Sequence, residues 1–575
     1  MTATIFLTDM SRCLPHSALA DERQKSRWWR LPYKAGDIDG VMLGASTQVR
    51  APDVTLPLGA TGWHHIYVGY WNPHHDYDGD VKLKLKLTGD DCYRTIHAPI
   101  LADKDWPGSS WMTATYMKEA FVTTADLAGR DLVIGQHHGG TPFKAYLAWV
   151  RLVSLDAAEA KQVQADRERS DTRILYSFND GNGMFGKGQT TREDLLEEIE
   201  QYRHSDVGAF VFAASCGDIV NYPSEAGTIF SSMDDSFMHT EGKLLHRTMK
   251  GLLDKGIVPI QLLAEHAHEM GIAFHAQFRM AIGGHVPPCS TTSPNGLVCR
   301  RPDLRMIERD GTAVEKASYA FPETRKVMLS MIREVAANYD VDGINLCFIR
   351  GPQYVGYEAP VVEDFKKDHG VDPRTLDHND LRLQRHRARY VTELVREARA
   401  LVIEAGREKT RKVELSAVVC SGQVGLNLFY GFDILSWLEE GLLDSIFVSG
   451  EMEPGTLRAI RAAGCRLIHT IPPDSGDAAA WLRDLGYDSG VDGIWYWDMN
   501  FEQEHPEFWN RMRRIGHRMQ EGEAADAAHG AFEPIPITSV GGCELSNVAN
   551  KGVGDGRFEP PVYGPPELLH VYSLG

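Results

Sequence analysis

Glu358, Glu451 and Asp498 each stand at or shortly after the end of a short apolar run, in VGYEAP, FVSGEM and IWYWDMN. Carboxyl groups presented this way from separate segments can work as a pair across a glycosidic bond. One protonates the leaving oxygen while the other attacks the carbon or activates water, so their surroundings must hold one neutral and one ionised. His275, Gln277 and Arg279 alternate in GIAFHAQFR and therefore share one strand face. Asn345 lies in DGINLCFI, which runs on to Arg350 and Tyr354. Trp497 precedes Asp498, and Asp180 opens the glycine-rich NDGNGMFGKG. Together these groups offer donors and acceptors for hydroxyls and an indole face for a sugar ring. Arg279 and Arg350 would take a carboxylate, which points to an anionic, uronic-acid-containing glycan.

Each group also has a plainer reading. Glu358 and Glu453 can start helices and favour their dipoles, Asp498 can cap a turn, and glycine-flanked Asp180 and Asp218 are common turn formers. DYDGD (Asp76, Asp78, Asp80) has the oxygen spacing of a calcium loop without its downstream glutamate, and reads as a hairpin turn. The histidine pairs at 64/65, 74/75 and 137/138 match no metal spacing. Neither a metal nor a cofactor is expected.

The positioning elements follow from periodicity. Eight strand-like runs alternate with helical segments: 174–179, 208–214, 271–278, 342–349, 413–419, 444–450, 465–471 and 492–497. Thr191 with Asp194 predicts a capping box, Pro322 opens a helix, and LSWLEEG stops at Gly441. This alternation predicts a (β/α)8 TIM barrel, whose catalytic groups come from the C-terminal ends of its strands. The tetrapeptide Val-Asp-Gly-Ile occurs at Val341–Ile344 and Val491–Ile494. It marks the fourth and eighth strands, and it reads as turn chemistry in which the aspartate bonds amides of its own turn.

Before the barrel, VKLKLKLTG and the runs at 64–71, 120–123, 131–135 and 146–155 alternate as strands. They predict an antiparallel β-sandwich, a jelly roll, with the lysine face of VKLKLKL in water. The expected organisation is a sandwich at 1–155, a helical linker at 156–172, the barrel at 173–520 and a Gly/Pro-rich tail at 521–575. That tail is expected to wrap a domain surface through Val540, Leu545, Tyr563 and Leu568.

The chain is 575 residues long, which exceeds one core, and its net charge of -19 disfavours nucleic acid or an anionic membrane as partner. The absence of a long apolar run and of paired cysteine motifs gives an expectation of a soluble cytoplasmic protein with reduced thiols, or a secreted or periplasmic one if a leader was removed. The expected partner is a carbohydrate; homo-oligomerisation stays open.

The run VDGINLCFIRGPQYVGYEAPVVEDFKKDHGVDPR, with HAHEMGIAFHAQFRM and WLEEGLLDSIFVSGE, resembles the bacterial glycosyl hydrolase-like family 10. The resemblance covers about 173–510 and implies a TIM barrel, often beside a β-sandwich, with a carbohydrate-active role. It departs at one place. Many such barrels carry an aspartate late in strand 4, where this chain has Cys347, so a nucleophile there is lost. The leading expectation is a two-carboxylate glycoside hydrolase. Its rivals are a glycan-binding barrel without hydrolysis and a sugar-acid lyase or isomerase using His275 as base.

Overall fold

The computed structural model describes residues 3–46, 49–71, 81–98, 116–137, 143–283, 296–470, 491–497, 499, 502–517 and 535–544. The chain forms two units, one of Met1–Gln164, Glu504–Asn510 and Asp526–Gly575, the other of Ala165–Gln503 and Arg511–Ala525. No helix of the described residues is long and apolar enough to cross a membrane. The cysteines among them are free thiols.

The first unit holds two antiparallel sheets. In the larger, Trp28–Ala35, Ile38–Ala45, Ala145–Ser154, Trp63–Trp71 and Tyr116–Asp126 pair in that order. Ile535–Val540 pairs with Tyr116–Asp126 on one side and Trp28–Ala35 on the other, so the path returns to its start. That stretch of the tail is thus a paired strand, and Val540 packs on the core; Leu545, Tyr563 and Leu568 lie outside the described residues. The smaller sheet is Val54–Leu56, Leu132–Gln136, Val81–Leu87 and Arg94–Ala98.

VKLKLKL is a strand as read, but its lysine face is not wet. Lys82 and Lys84 are buried. Lys82 Nζ donates to Glu504 at 2.8 Å and lies 4.6 Å from the Phe143 ring centre, while Lys84 and Lys86 lie over Tyr93. Alternation reports two chemically different faces, and here the polar face meets aromatic rings and a carboxylate. DYDGD and the 74/75 histidines fall outside the described residues.

The second unit is the barrel. Its strands are β1 (Leu175–Asn179), β2 (Val207–Cys216), β3 (Ala273–Arg279), β4 (Gly343–Cys347), β5 (Glu414–Val418), β6 (Ser445–Val448), β7 (Arg466–Thr470) and β8 (Gly493–Tyr496). Each pairs in parallel with the next and β8 with β1, which closes the ring. Thr191 and Asp194 form the reciprocal capping box, and Pro322 is in the first turn of Pro322–Asn338.

The aspartates of the repeated tetrapeptide do not bond their own turns. Asp342 accepts from the amide of Phe274 at 2.7 Å, and Asp492 from that of Leu467 at 2.8 Å. Asp444, ahead of β6, accepts from Leu415 at 2.8 Å in the same way. The carboxylates before β4, β6 and β8 thus each satisfy an amide at the start of the preceding odd strand, an orphan donor in need of a partner, whereas Asp206 before β2 accepts from Gly516 and His517. Arg411 pairs with Asp342, Arg399 with Asp444 and Arg461 with Asp492. The glycines have a packing reason: a Cβ on Gly343 would lie 2.8 Å from the His275 ring, and one on Gly493 2.8 Å from Tyr176 and Ile468.

Candidate active site

The strands end in a mouth built from a few side chains. At β1, Asn179 accepts from the Gly181 amide at 2.8 Å, and Gly181 takes a φ of +85° that turns the chain into Asn182–Gly186. This sharp turn leaves Asp180 at the rim, where it accepts from Asn182 at 2.9 Å and from Arg279 Nη2 at 3.3 Å. Arg279 ends β3, in register with Cys216 on β2 and Cys347 on β4. Cys347 is wholly buried, and that burial pushes its thiol up to about 12 against the opposing pull of the Arg279 charge. It is a neutral packing group at neutral pH.

Past β4, the Arg350 guanidinium lies 5.1 Å from the Trp497 ring centre, just beyond β8. Trp497 is itself packed on Phe178 and Trp495, at 4.5 and 4.7 Å between ring centres, and stays half-buried. Glu451 is exposed after β6, following Gly450 at φ +71°. Asp498 lies outside the described residues.

Several expected contacts are elsewhere. His275, Gln277 and Arg279 share a face as read, but a strand climbs about 3.3 Å per residue, so alternate side chains differ in depth by about 6.6 Å. Only Arg279 reaches the mouth. Gln277 donates to Asn345 Oδ1 at 2.9 Å, Asn345 donates to Ser416 Oγ at 2.8 Å, and Ser416 donates to the Ile344 carbonyl. All three are buried in mid-barrel, where they bond one another, with Gln277 Oε1 left without a partner among the described residues. His275 is in register with Gly343, the first residue of β4. It is buried toward the N-terminal end, with Nε2 4.0 Å from Glu414, and burial pushes its imidazole down. A lyase or isomerase using His275 at the mouth therefore loses its base.

Tyr354 is also buried and donates to the carbonyls of Phe348 at 2.8 Å and Arg350 at 3.1 Å, holding the loop after β4. Glu358 precedes helix Ala359–His369 and is fully buried. Its carboxyl accepts from Gly356 at 3.0 Å and Ile307 at 3.2 Å. Burial raises it above the usual carboxyl range, against the lowering effect of those amides. It is a clasp between the loop after β4 and the short strand Arg305–Ile307, without access to substrate.

Beside the mouth is a cavity of about 380 Å³, walled by the loop after β1, the end of β2, Arg279 and the helix Thr240–Asp254. Cys216, Ser215 and Asn221 line it, and none was singled out by its sequence surroundings. The segment from the end of β2 to helix Pro259–Glu269 is long for a βα loop, which is the one signal that could have found it.

No curated protein matches the chain. Among solved structures, an α-L-fucosidase isoenzyme from Paenibacillus thiaminolyticus is similar at 15% identity and TM-score 0.37, over 59% of this chain and 49% of that one. An exo β-N-acetylglucosaminidase from Vibrio harveyi gives 9%, TM-score 0.39, and 79% and 65%. A β-galactosidase from Marinomonas ef1 gives 12%, TM-score 0.36, and 56% and 54%. The chain thus spans less than two thirds of each, and the barrel rests on its own strand pairing. Residues 232–450, from the segment after β2 through β6, match the model of the family glycosyl hydrolase-like 10, the family that Val341–Arg374 resembles.

Proposed function

We propose that this barrel is a glycoside hydrolase acting at its C-terminal mouth on a glycan that carries carboxylates. The observation that carries the reading is the placement of Arg279, paired with Asp180, and of Arg350 over Trp497, at the strand ends of a barrel of glycosyl hydrolase-like type. Arg279 and Arg350 would bind the sugar carboxylate and Asp180 a hydroxyl, while Trp497, its ring between Phe178 and the Arg350 guanidinium, would hold Arg350 in place. With Glu358 sealed, Glu451 after β6 and Asp498 after β8 are the proposed acid and its partner. One would protonate the glycosidic oxygen, and the other would attack the anomeric carbon or activate water. In the same proposal the antiparallel unit is a jelly-roll accessory domain.

The test is turnover of uronic-acid-containing oligosaccharides, read as new reducing ends, by wild type, Glu451→Gln and Asp498→Asn. Loss of at least about a hundredfold in each variant with binding retained is expected. Near-native turnover in both removes the assignment. Cys347 favours a second reading, a barrel that binds glycans without cleaving them, because an inert thiol stands at the end of β4. Saturable binding of the same oligosaccharides with no product over a long incubation would decide for it.

A further inference from the structure

The 380 Å³ cavity beside the mouth differs chemically from a sugar site. Phe185, Phe230, Met238, Leu245 and Met249 give it a mainly apolar wall, and its polar groups, Asn182, His239 and Glu241 with those shared with the mouth, stand around that wall. Methionines adapt their shape and favour aromatic neighbours. Three polar atoms on lining residues have no hydrogen-bond partner among the described residues: Ser215 Oγ, Asn221 Oδ1 and Arg279 Nε. Such atoms are costly when buried. A cavity of this volume, mostly apolar with a few polar groups, suits a ring-sized organic group that carries one or two oxygens. Its position matters as much as its lining, because Asp180 and Arg279 belong both to the cavity and to the mouth. A molecule whose sugar lies at the mouth can place its other substituent here.

We infer that the cavity is an aglycone subsite, and that the substrate is a glycoside whose apolar aromatic group enters between the loop after β1 and helix Thr240–Asp254. The inference rests on the proposed glycosidase reading for the sugar half only. Leu245 is half-buried on the cavity side of the helix, so a charge there alters the lining more than the core.

The full-length protein is titrated with 4-methylumbelliferone, with its β-D-glucuronide, and with methyl β-D-glucuronide. The free aglycone should bind saturably, and the aryl glycoside should bind on the order of tenfold to a hundredfold more tightly than the methyl one. Leu245→Lys should remove that advantage at unchanged circular dichroism, and Leu245→Met should keep it. Absence of saturable aglycone binding to wild type, or equal affinity in Leu245→Lys, overturns the inference. If the aglycone binds while no glycan is bound or cleaved, the cavity stands and the sugar reading falls. If glycans are cleaved with no preference for the aryl group, the reverse holds.

Discussion

The guanidinium of Arg350 lies over the ring of Trp497, 5.1 Å from its centre. The two residues follow β4 and β8, strands half the ring apart, so the pair spans the mouth. A cation held on an indole face is worth about 0.5–2 kcal/mol according to how dry it is.

Arg350→Ala should therefore cost about 1 kcal/mol or less in stability. It should expose Trp497 to acrylamide quenching and weaken an anionic oligosaccharide by about tenfold. A neutral oligosaccharide of the same length should lose little. Equal losses on the two ligands would show that Arg350 holds the loop and does not read charge.

Glu358 separates a structural from a catalytic carboxyl. Glu358→Ala leaves the Gly356 and Ile307 amides without their acceptor and opens a hole, which should lower stability by about 2–4 kcal/mol. Glu358→Gln keeps an oxygen that can accept from both amides and should lose far less. Chemical denaturation and turnover per folded molecule check this. A Glu358→Gln protein with wild-type stability but no turnover would return the residue to the chemistry.

Gly343 and Gly493 should resist substitution for packing reasons. Gly343→Ala sets a methyl against the His275 ring and should cost about 1–3 kcal/mol, as should Gly493→Ala against Tyr176 and Ile468. Melting of the two variants reads the cost, and a loss below a few tenths of a kcal/mol in either would mean that the interior repacks.

The eight strands were legible because parallel strands buried on both faces leave unbroken apolar runs. Which residues reach the mouth was not. Alternation places His275, Gln277 and Arg279 on one face, but depth depends on where the strand starts and on its shear against its neighbours. The carboxylate of Asp342 was legible as a strand-start group, yet its acceptor role toward Phe274 needs the neighbouring strand, about seventy residues away in sequence. Glu358 looked catalytic as a carboxyl in the segment that follows β4, although its distance past the strand also suited a helix start. Its carboxyl is engaged by the amide of Ile307, on the short strand Arg305–Ile307 some fifty residues earlier, a partner that no local pattern reveals. The cavity wall was hidden for the opposite reason, since Met238, Leu245 and Met249 have the spacing of an ordinary core face.

His517 gives the barrel unit a pH dependence of its own. Its ring nitrogens lie 2.8 Å from Asp206 and 2.7 Å from Asp166, so it bridges two carboxylates. Burial alone would push the imidazole down, but the hydrogen bonds to Asp166 and Asp206 outweigh it and hold it up at about 9. An unfolded histidine titrates near 6.5. The folded state therefore binds the proton more tightly, and the bridge contributes its full stability below about pH 6.5. That contribution falls as pH rises and is gone above about pH 9. Allowing for the exposed part of the ring, it amounts to about 2 kcal/mol. Denaturant unfolding of wild type and His517→Gln at pH 6 and pH 9.5 reads the difference directly. The two proteins should differ by about that amount at the lower pH and converge at the higher. A gap that stays constant across the range would mean that His517 contributes through packing and not through its charge.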